Sequence, residues 1–318
     1  MKTSKAGHVF LVGILLASFC SLAQRRGGPP RRIANPKNLQ LPGGSKVEFR
    51  SFSASSIGEK ASYSVYFPPA YQKQLDRKFP VIYFLHGMFN DHTSWTVARY
   101  GNIPLLIEKL MLQGSSPQCL MVFPEGRNSM YTDFVDGSKK YEQYIYQDLI
   151  REFESRFRVK KARNNRAIGG TSMGGYGALK IAMKHPELYG SVAVASPIIL
   201  LGNNPIELVN SSNRISFFYR VFTQVFGLPF DQAHWKENSI EVLARSGNLE
   251  DLKIYLAYGT ADRFADAFPM RQGIETVDEI LSKRGFSHVL KIFEGEPHGW
   301  ELIHNHIEEI LQFLTQKF

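Results

Sequence analysis

Six short apolar runs, each ending in turn-forming residues, restrict the fold of this chain more than any other feature. Continuous apolar runs of this kind are typical of parallel strands that are buried on both faces. They lie at residues 79–87, 118–126, 164–172, 190–197, 252–260 and 288–296. Helix-like stretches lie between them, at residues 101–113, 144–157, 176–186 and 268–285. The alternation predicts an α/β fold with right-handed crossovers and a mostly parallel central sheet.

Three further segments complete this prediction. Residues 46–54 and 61–71 alternate apolar and polar side chains, which is typical of paired strands near a sheet edge. The sheet is therefore expected to have about eight strands, with helices on both faces. Residues 300–314 carry isoleucine and leucine at helical spacing, so this last segment is predicted to pack on the sheet as a helix.

The composition argues for a folded core and against a nucleic-acid binder. The chain has 318 residues, of which 43% are hydrophobic and 21% charged. Its net charge is +9, but Lys2, Lys5 and the four arginines of residues 24–35 leave about +3 for the remainder, with no basic stripe. There is no H-E-x-x-H, paired C-x-x-C or P-loop motif, so the sequence predicts neither a metal nor a cofactor.

The first 23 residues are predicted to be a cleavable signal peptide. Two lysines precede an apolar run at residues 9–19, and small residues end at Ala23. The run is short for a transmembrane helix, although a retained anchor is the alternative. Both interpretations place the protein outside the cytoplasm, secreted or periplasmic, and cleavage would leave no stable membrane insertion. Residues 24–44 are expected to form a basic Gly/Pro-rich spacer, and residues 45–318 a single domain.

An insertion at about residues 200–245 interrupts the alternation of strands and helices. It is dense in aromatic residues, as in the stretch ISFFYRVFTQVFGLPFDQAHW. Long loops in compact domains often serve as lids. The segment is therefore either a core helix with a surface loop or a cap over a pocket, and the sequence favours neither.

The motif G-x-S-x-G occurs at residues 170–174, with Ser172 at its centre. A strand-like run precedes it and an apolar, helix-forming run follows it at once. Small residues at these positions allow a sharp strand-to-helix turn, which lifts the serine hydroxyl above the sheet. This context predicts that Ser172 is a nucleophile.

A serine nucleophile needs a histidine as base and a carboxylate that orients the histidine. In this architecture the partners follow in the order serine, acid, histidine, each after a later strand. Asp262 comes just after the run at 252–260, and His298 just after the run at 288–296. Asp266 is the alternative acid, but it lies farther from the strand end.

The oxyanion of an acyl-transfer reaction needs two hydrogen-bond donors. One is predicted to be the backbone N–H of Met173, directly after the nucleophile, and the second is expected from the loop after the run at 79–87. Met88 is the best candidate in that loop. His86 is interpreted as a structural residue that shapes the loop.

Taken together, several segments resemble one branch of the α/β-hydrolases, the esterase D-like esterases. They are VYFPPAY, VIYFLHGMFNDHTSW, VFPEG, GGTSMGGYGALKIAMKHPELYGSVAVASP, GTADRF and EGEPHGW, and the resemblance covers residues 47–318. That branch includes feruloyl and acetyl xylan esterases, S-formylglutathione hydrolases and mycolyltransferases. The resemblance implies an α/β-hydrolase fold with the same catalytic and oxyanion residues. It also implies that Trp95 lines the acyl or leaving-group pocket.

The leading hypothesis is a secreted serine carboxylic-ester hydrolase that works through an acyl-enzyme. Its expected partner is a small-molecule or polysaccharide ester, such as a feruloyl or acetyl ester of a carbohydrate. An acyltransferase with the same triad, and an inactive carbohydrate-binding module, are the alternatives. The sequence does not determine the oligomeric state.

Overall fold

The computed structural model describes residues 36–97, 102–203, 205, 217–264 and 268–318. The predicted signal peptide at 1–23, the first part of the predicted spacer and the alternative acid Asp266 lie outside the described residues.

The strands of the described chain are β1 Leu39–Gln40, β2 Lys46–Ala54, β3 Glu59–Phe67, β4 Val81–Leu85, β5 Leu120–Pro124, β6 Arg166–Thr171, β7 Ser191–Ala195, β8 Lys253–Gly259 and β9 His288–Phe293. They form one sheet in the order β1-β2-β3-β5-β4-β6-β7-β8-β9. The first three strands and the β3–β5 pair are antiparallel, whereas the six strands from β5 to β9 in this order are parallel. The prediction of a mostly parallel sheet is confirmed.

Two details of the sheet differ from the sequence-based prediction. The sheet has nine strands, because residues 39–40, within the predicted spacer, pair with β2 as a two-residue strand. A strand this short shows no alternation that a sequence could reveal. β9 was also expected to be buried on both faces, but it is the last strand of the sheet, and Ile292 is 53% exposed.

Helices cover both faces of the sheet, as predicted. They are α1 Pro69–Lys73, α2 Ile103–Leu112, α3 Tyr141–Gln143, α4 Ile150–Arg156, α5 Met173–Lys184, α6 Phe217–Phe226, α7 Gln232–Asn238, α8 Ile240–Ser246, α9 Met270–Lys283 and α10 Trp300–Thr315, with a π-helical segment Tyr144–Leu149 between α3 and α4. α2 and α10 form one hydrophobic core with the sheet. The remaining longer helices, including α4, α5 and α9, form the other.

The insertion folds into α6, α7 and α8 in its described part. Phe222, Phe226 and Trp235 are buried and join the core on the α5 side of the sheet. The first residues of α6, Phe217 and Phe218, are only partly buried. The insertion therefore has a core part and a part that reaches the surface near the end of β6.

Candidate active site

Ser172 occupies a strained turn between β6 and α5. Its backbone angles, φ 57° and ψ −121°, fall in a region that side chains other than glycine rarely adopt. The turn is fixed from both sides: the Ser172 N–H donates to the carbonyl oxygen of Ala195 at 3.0 Å, and the N–H of Ile198 donates to the Ser172 carbonyl at 3.3 Å. The surrounding fold thus holds the strained conformation that the motif predicted.

The glycines beside Ser172 allow a close approach of backbone to backbone. A Cβ atom on Gly174 would lie 2.2 Å from the carbonyl oxygen of Leu85, at the end of β4. One on Gly170 would lie 2.5 Å from the carbonyl oxygen of Gly174. Because real Cβ atoms do not come this close to backbone, only glycine lets α5 begin directly against β4 and β6.

His298 and Asp262 meet at the carboxyl ends of β8 and β9. His298 Nδ1 lies 2.7 Å from Asp262 Oδ2, and Asp262 is fully buried. The other carboxylate oxygen, Oδ1, accepts a hydrogen bond from the Phe264 N–H at 3.1 Å. Since the carboxylate accepts from Nδ1–H, the neutral imidazole keeps Nε2 as an acceptor, which is the atom a general base needs.

Ser172, His298 and Met88 line one cavity of about 170 Å³, and Asp262 lies behind His298. The other side chains around it are mostly apolar: Phe89, Asn90, Ile198, Phe218, Phe264 and Trp300. The structure therefore brings together a strained serine, a histidine and a buried carboxylate that are up to 126 positions apart in the sequence. The cavity leaves room beside the serine for an acyl group.

The N–H groups of Met88 and Met173 are available for an oxyanion. Met173 is the first residue of α5, so its N–H has no acceptor within the helix. In the described part of the chain, the Met88 N–H donates no hydrogen bond. Among the described residues, the N–H groups of both predicted donors thus have no acceptor, and both residues lie close to Ser172.

Two asparagines that sequence reasoning missed hold the Met88 loop in place. Asn90 Nδ2 donates to the Met88 carbonyl at 3.0 Å, and Asn128 Oδ1 accepts from the Phe89 N–H at 2.9 Å. Phe89 itself has a left-handed backbone, φ 65°. The peptide between Met88 and Phe89 is therefore clamped at both its carbonyl and its N–H group.

His86 lies under this loop, fully buried. Its Nε2 accepts a hydrogen bond from the Gly126 N–H at 2.9 Å, and its Nδ1 donates to the Gly87 carbonyl at 2.8 Å. The Tyr131 hydroxyl accepts from the His86 N–H at 3.1 Å. His86 therefore joins the loops after β4 and β5, in agreement with a structural role.

Trp95 lies behind the cavity. It is fully buried and packs edge to face on Phe84 and Trp300, with ring centroids 4.8 and 4.5 Å away. Trp300 lines the cavity, whereas Trp95 reaches it only through Trp300. A direct substrate contact of Trp95 stays a prediction, and Trp300 is the indole that sequence reasoning did not identify.

The described residues offer neither a metal site nor a membrane-spanning helix. They contain no cluster of three or more histidine, cysteine, aspartate or glutamate side chains that could hold a metal ion. In the same part of the chain, no helix has the length and apolar character needed to cross a membrane.

The chain is similar to a family of esterases and to individual known esterases. The model of the family described as "Putative esterase" matches residues 54–313. An endo-1,4-beta-xylanase/feruloyl esterase of Xylanibacter ruminicola is 30% identical over 149 residues, which are 44% of this chain and only 20% of that protein. An acetyl esterase of Caldicellulosiruptor saccharolyticus is 24% identical over 251 residues, 77% of this chain and 87% of that one.

A solved structure of a ferulic acid esterase has the same fold. It superposes with a TM-score of 0.70 at 23% identity, over 86% of this chain and 98% of that one. The fold is thus that of the α/β-hydrolases. Because the family model matches most of the sequence, the predicted resemblance is confirmed, and the chain belongs to this esterase D-like family of putative esterases.

Proposed function

We propose that the protein is a serine carboxylic-ester hydrolase that works through an acyl-enzyme. The observation that carries the proposal is the 2.7 Å contact between His298 and the buried Asp262, with His298 and the strained Ser172 lining the same cavity. Nucleophile, base and orienting acid would then be Ser172, His298 and Asp262.

In the proposed reaction, His298 Nε2 takes the hydroxyl proton while Ser172 Oγ attacks the ester carbonyl carbon. The N–H groups of Met88 and Met173 stabilise the resulting oxyanion. When the tetrahedral intermediate collapses, the C–O bond to the alcohol breaks and His298 returns its proton to the leaving oxygen. Water then attacks the carbonyl carbon of the acyl-enzyme while His298 takes its proton. When this second intermediate collapses, the bond to Ser172 Oγ breaks and His298 returns the proton to Oγ, which releases the acid and restores Ser172.

The substrates we propose are acyl esters of carbohydrates, with acetyl or feruloyl groups. The names of the relatives support this class, since they include a feruloyl esterase and an acetyl esterase. The apolar cavity beside Ser172 supports it as well, because an acyl group would meet Ile198, Phe218 and Phe264 there.

We also propose that the enzyme acts after export, because residues 1–23 have the pattern of a signal peptide. Mass spectrometry of the enzyme recovered outside the cytoplasm should then find a chain that begins at Gln24. A chain that still carries Met1 there would refute cleavage.

The test of the hydrolase proposal is hydrolysis of p-nitrophenyl acetate by the wild type and by Ser172→Ala. We expect kcat to fall by about 10⁴-fold or more in the variant, since the nucleophile is removed. Ser155→Ala is the matched control, because Ser155 is exposed on α4, and it should keep wild-type kcat. Equal rates for wild type and Ser172→Ala would overturn the proposal. Adding a sugar acceptor and measuring the transfer product distinguishes hydrolysis from acyl transfer.

A further inference from the structure

We propose that a polar groove next to the Ser172 cavity binds the carbohydrate portion of the ester, as an oligosaccharide that extends beyond the esterified sugar. This inference rests on the proposed hydrolase function. The groove is lined by Phe89, Asn90, Glu59, Arg127, Tyr141 and Arg220, and comprises two cavities of about 720 and 390 Å³.

The groove is continuous with the site of chemistry. Phe89 and Asn90 line both the Ser172 cavity and the larger cavity of the groove. Glu59, Arg127 and Tyr141 line both cavities of the groove. Since ligand pockets usually span about 300–1,000 Å³, each cavity is large enough for a sugar unit, and the smaller one lies farther from Ser172.

The Ser172 cavity and the groove differ in chemistry, as do the acyl group and the sugar of such an ester. The walls at Ser172 are apolar and suit an acyl group. The groove instead presents charged and amide side chains, which can pair with the many hydroxyl groups of a sugar. A substrate with an apolar acyl group and a polyhydroxylated alcohol therefore fits in one orientation.

The charged side chains of the groove form ion pairs with one another. Arg127 Nε lies 3.2 Å from Glu59 Oε1, and Lys139 Nζ lies 3.3 Å from Glu59 Oε2. Even so, the Arg127 side chain is 47% exposed. A guanidinium has five N–H donors in a fixed plane, so its anchoring through Nε leaves donors for sugar hydroxyls at little loss of side-chain entropy.

Phe89 stands at the junction of the Ser172 cavity and the groove. It is 43% exposed, and its ring lies 4.5 Å from the ring of Phe217 between centroids. An exposed ring in a left-handed backbone conformation is unfavourable for an isolated loop, but Asn128 holds it there. Its open face offers an apolar surface on which the carbon-bound hydrogens of a sugar ring can pack.

The opposite wall belongs to α6 of the insertion. Arg220 and Gln224 line the larger cavity and are exposed. The Arg220 side chain forms no ion pair or hydrogen bond with the described residues. It is thus a second charged donor that faces the groove and is available for a ligand.

The experiment compares kcat/KM for a feruloylated xylotriose with kcat/KM for methyl ferulate, which has no sugar. In Arg127→Ala and Arg220→Ala, we expect the ratio of the two values to fall about tenfold, the equivalent of about 1.4 kcal/mol for lost charged hydrogen bonds. Arg245→Ala, an exposed arginine on α8, is the matched control and should keep the wild-type ratio. Thermal unfolding of each variant identifies any that fails to fold. If Arg127→Ala fails to fold, Arg220→Ala still tests the proposal, because Arg220 lies at the surface of α6.

A second measurement does not depend on variants. Free xylotriose should inhibit hydrolysis of methyl ferulate competitively, since it would occupy the leaving-group side of the site. If both esters are hydrolysed but neither the ratio nor the inhibition behaves as expected, the groove proposal is overturned and the hydrolase proposal stands. If the wild type hydrolyses p-nitrophenyl acetate but neither ferulate ester, the groove proposal is overturned and the hydrolase proposal stands. If it hydrolyses none of the three esters, the proposed function itself fails.

Discussion

The hydrogen bond between His298 and Asp262 is the single contact on which the proposed chemistry depends most. Asp262 is fully buried, and its carboxylate accepts from both the imidazole and a backbone N–H. A carboxylate in this place fixes the ring orientation and the tautomer, and it stabilises the imidazolium that forms during the reaction. A neutral amide cannot stabilise the imidazolium in this way.

Asp262→Asn should therefore lower kcat for p-nitrophenyl acetate by about 10⁴-fold, because the amide can stabilise the wrong tautomer of His298. The comparison variant is Asp266→Asn, which changes the alternative acid in the sequence. Its kcat should stay within about threefold of the wild-type value, because Asp262 would still orient His298. A larger loss in Asp266→Asn than in Asp262→Asn would reverse the assignment.

At this scale, the proposed catalytic residues could be selected from the sequence, but the residues that support them could not. Ser172, Asp262 and His298 were identifiable because each follows a strand-like run in the expected order. Asn128 was not, because it acts by meeting Phe89, 39 positions earlier, through an approach of two loops that no local pattern encodes.

The helix that follows Ser172, α5, is anchored by a buried group of charges. Lys180 is fully buried, and its Nζ lies 2.7 Å from Glu142 Oε2 and 2.9 Å from the Tyr131 carbonyl oxygen. Burial lowers the pKa of Lys180 to about 8, although Glu142 opposes this shift. Because Tyr131 also holds His86, the cluster connects α5 to the loop that carries Met88.

Glu142 should make the protein sensitive to acid. Burial alone would raise the pKa of Glu142, but Lys180, His185 and Lys184 outweigh it and hold the pKa below its usual value. Because the pKa is lower in the folded state, the stabilisation is fully present above about pH 4.3, the ordinary value for a glutamate, and is lost as pH falls below it.

We expect Glu142→Gln to lower the free energy of unfolding by about 3–5 kcal/mol at pH 7, since it removes the carboxylate that pairs with the buried charge of Lys180. Urea unfolding between pH 3 and 7 should show a shallower acid slope in the variant. Glu279→Gln is the control, because its pair with Lys283 is exposed, and its curve should run parallel to wild type. A Glu142→Gln curve parallel to wild type over this range would contradict the assignment.

The positions of the strands and helices along the sequence were predictable. Whether a strand lies inside the sheet or at its edge was less so. β9 has the apolar run of a buried strand, yet it is an edge strand, because no further strand of the described residues pairs with it. Edge position depends on the order of all strands in the sheet. An individual run of residues carries little information about that order.

The sequence predicted the α/β sheet from alternating strands and helices but left the role of the insertion open. Its place depends on ring contacts between distant segments: Phe217 lies against Phe89, and Phe218 lies 5.5 Å from Phe264 between ring centroids. Phe218 lines the Ser172 cavity, whereas Phe217 lines the groove. One helix of the insertion thus borders both proposed halves of the substrate site.

This arrangement predicts different effects of two adjacent substitutions on α6. Phe218→Ala enlarges the apolar cavity, so kcat/KM for p-nitrophenyl octanoate relative to the acetate should rise about tenfold, within the range that small changes in an apolar pocket produce. Phe217→Ala removes a ring of the same size and should leave that ratio near wild type, since Phe217 does not line the cavity. If both variants shift the ratio equally, loosening of α6 accounts for the change and the separation of the two walls is wrong. If only Phe218→Ala shifts it, the insertion determines acyl size through one residue while its neighbour faces the groove.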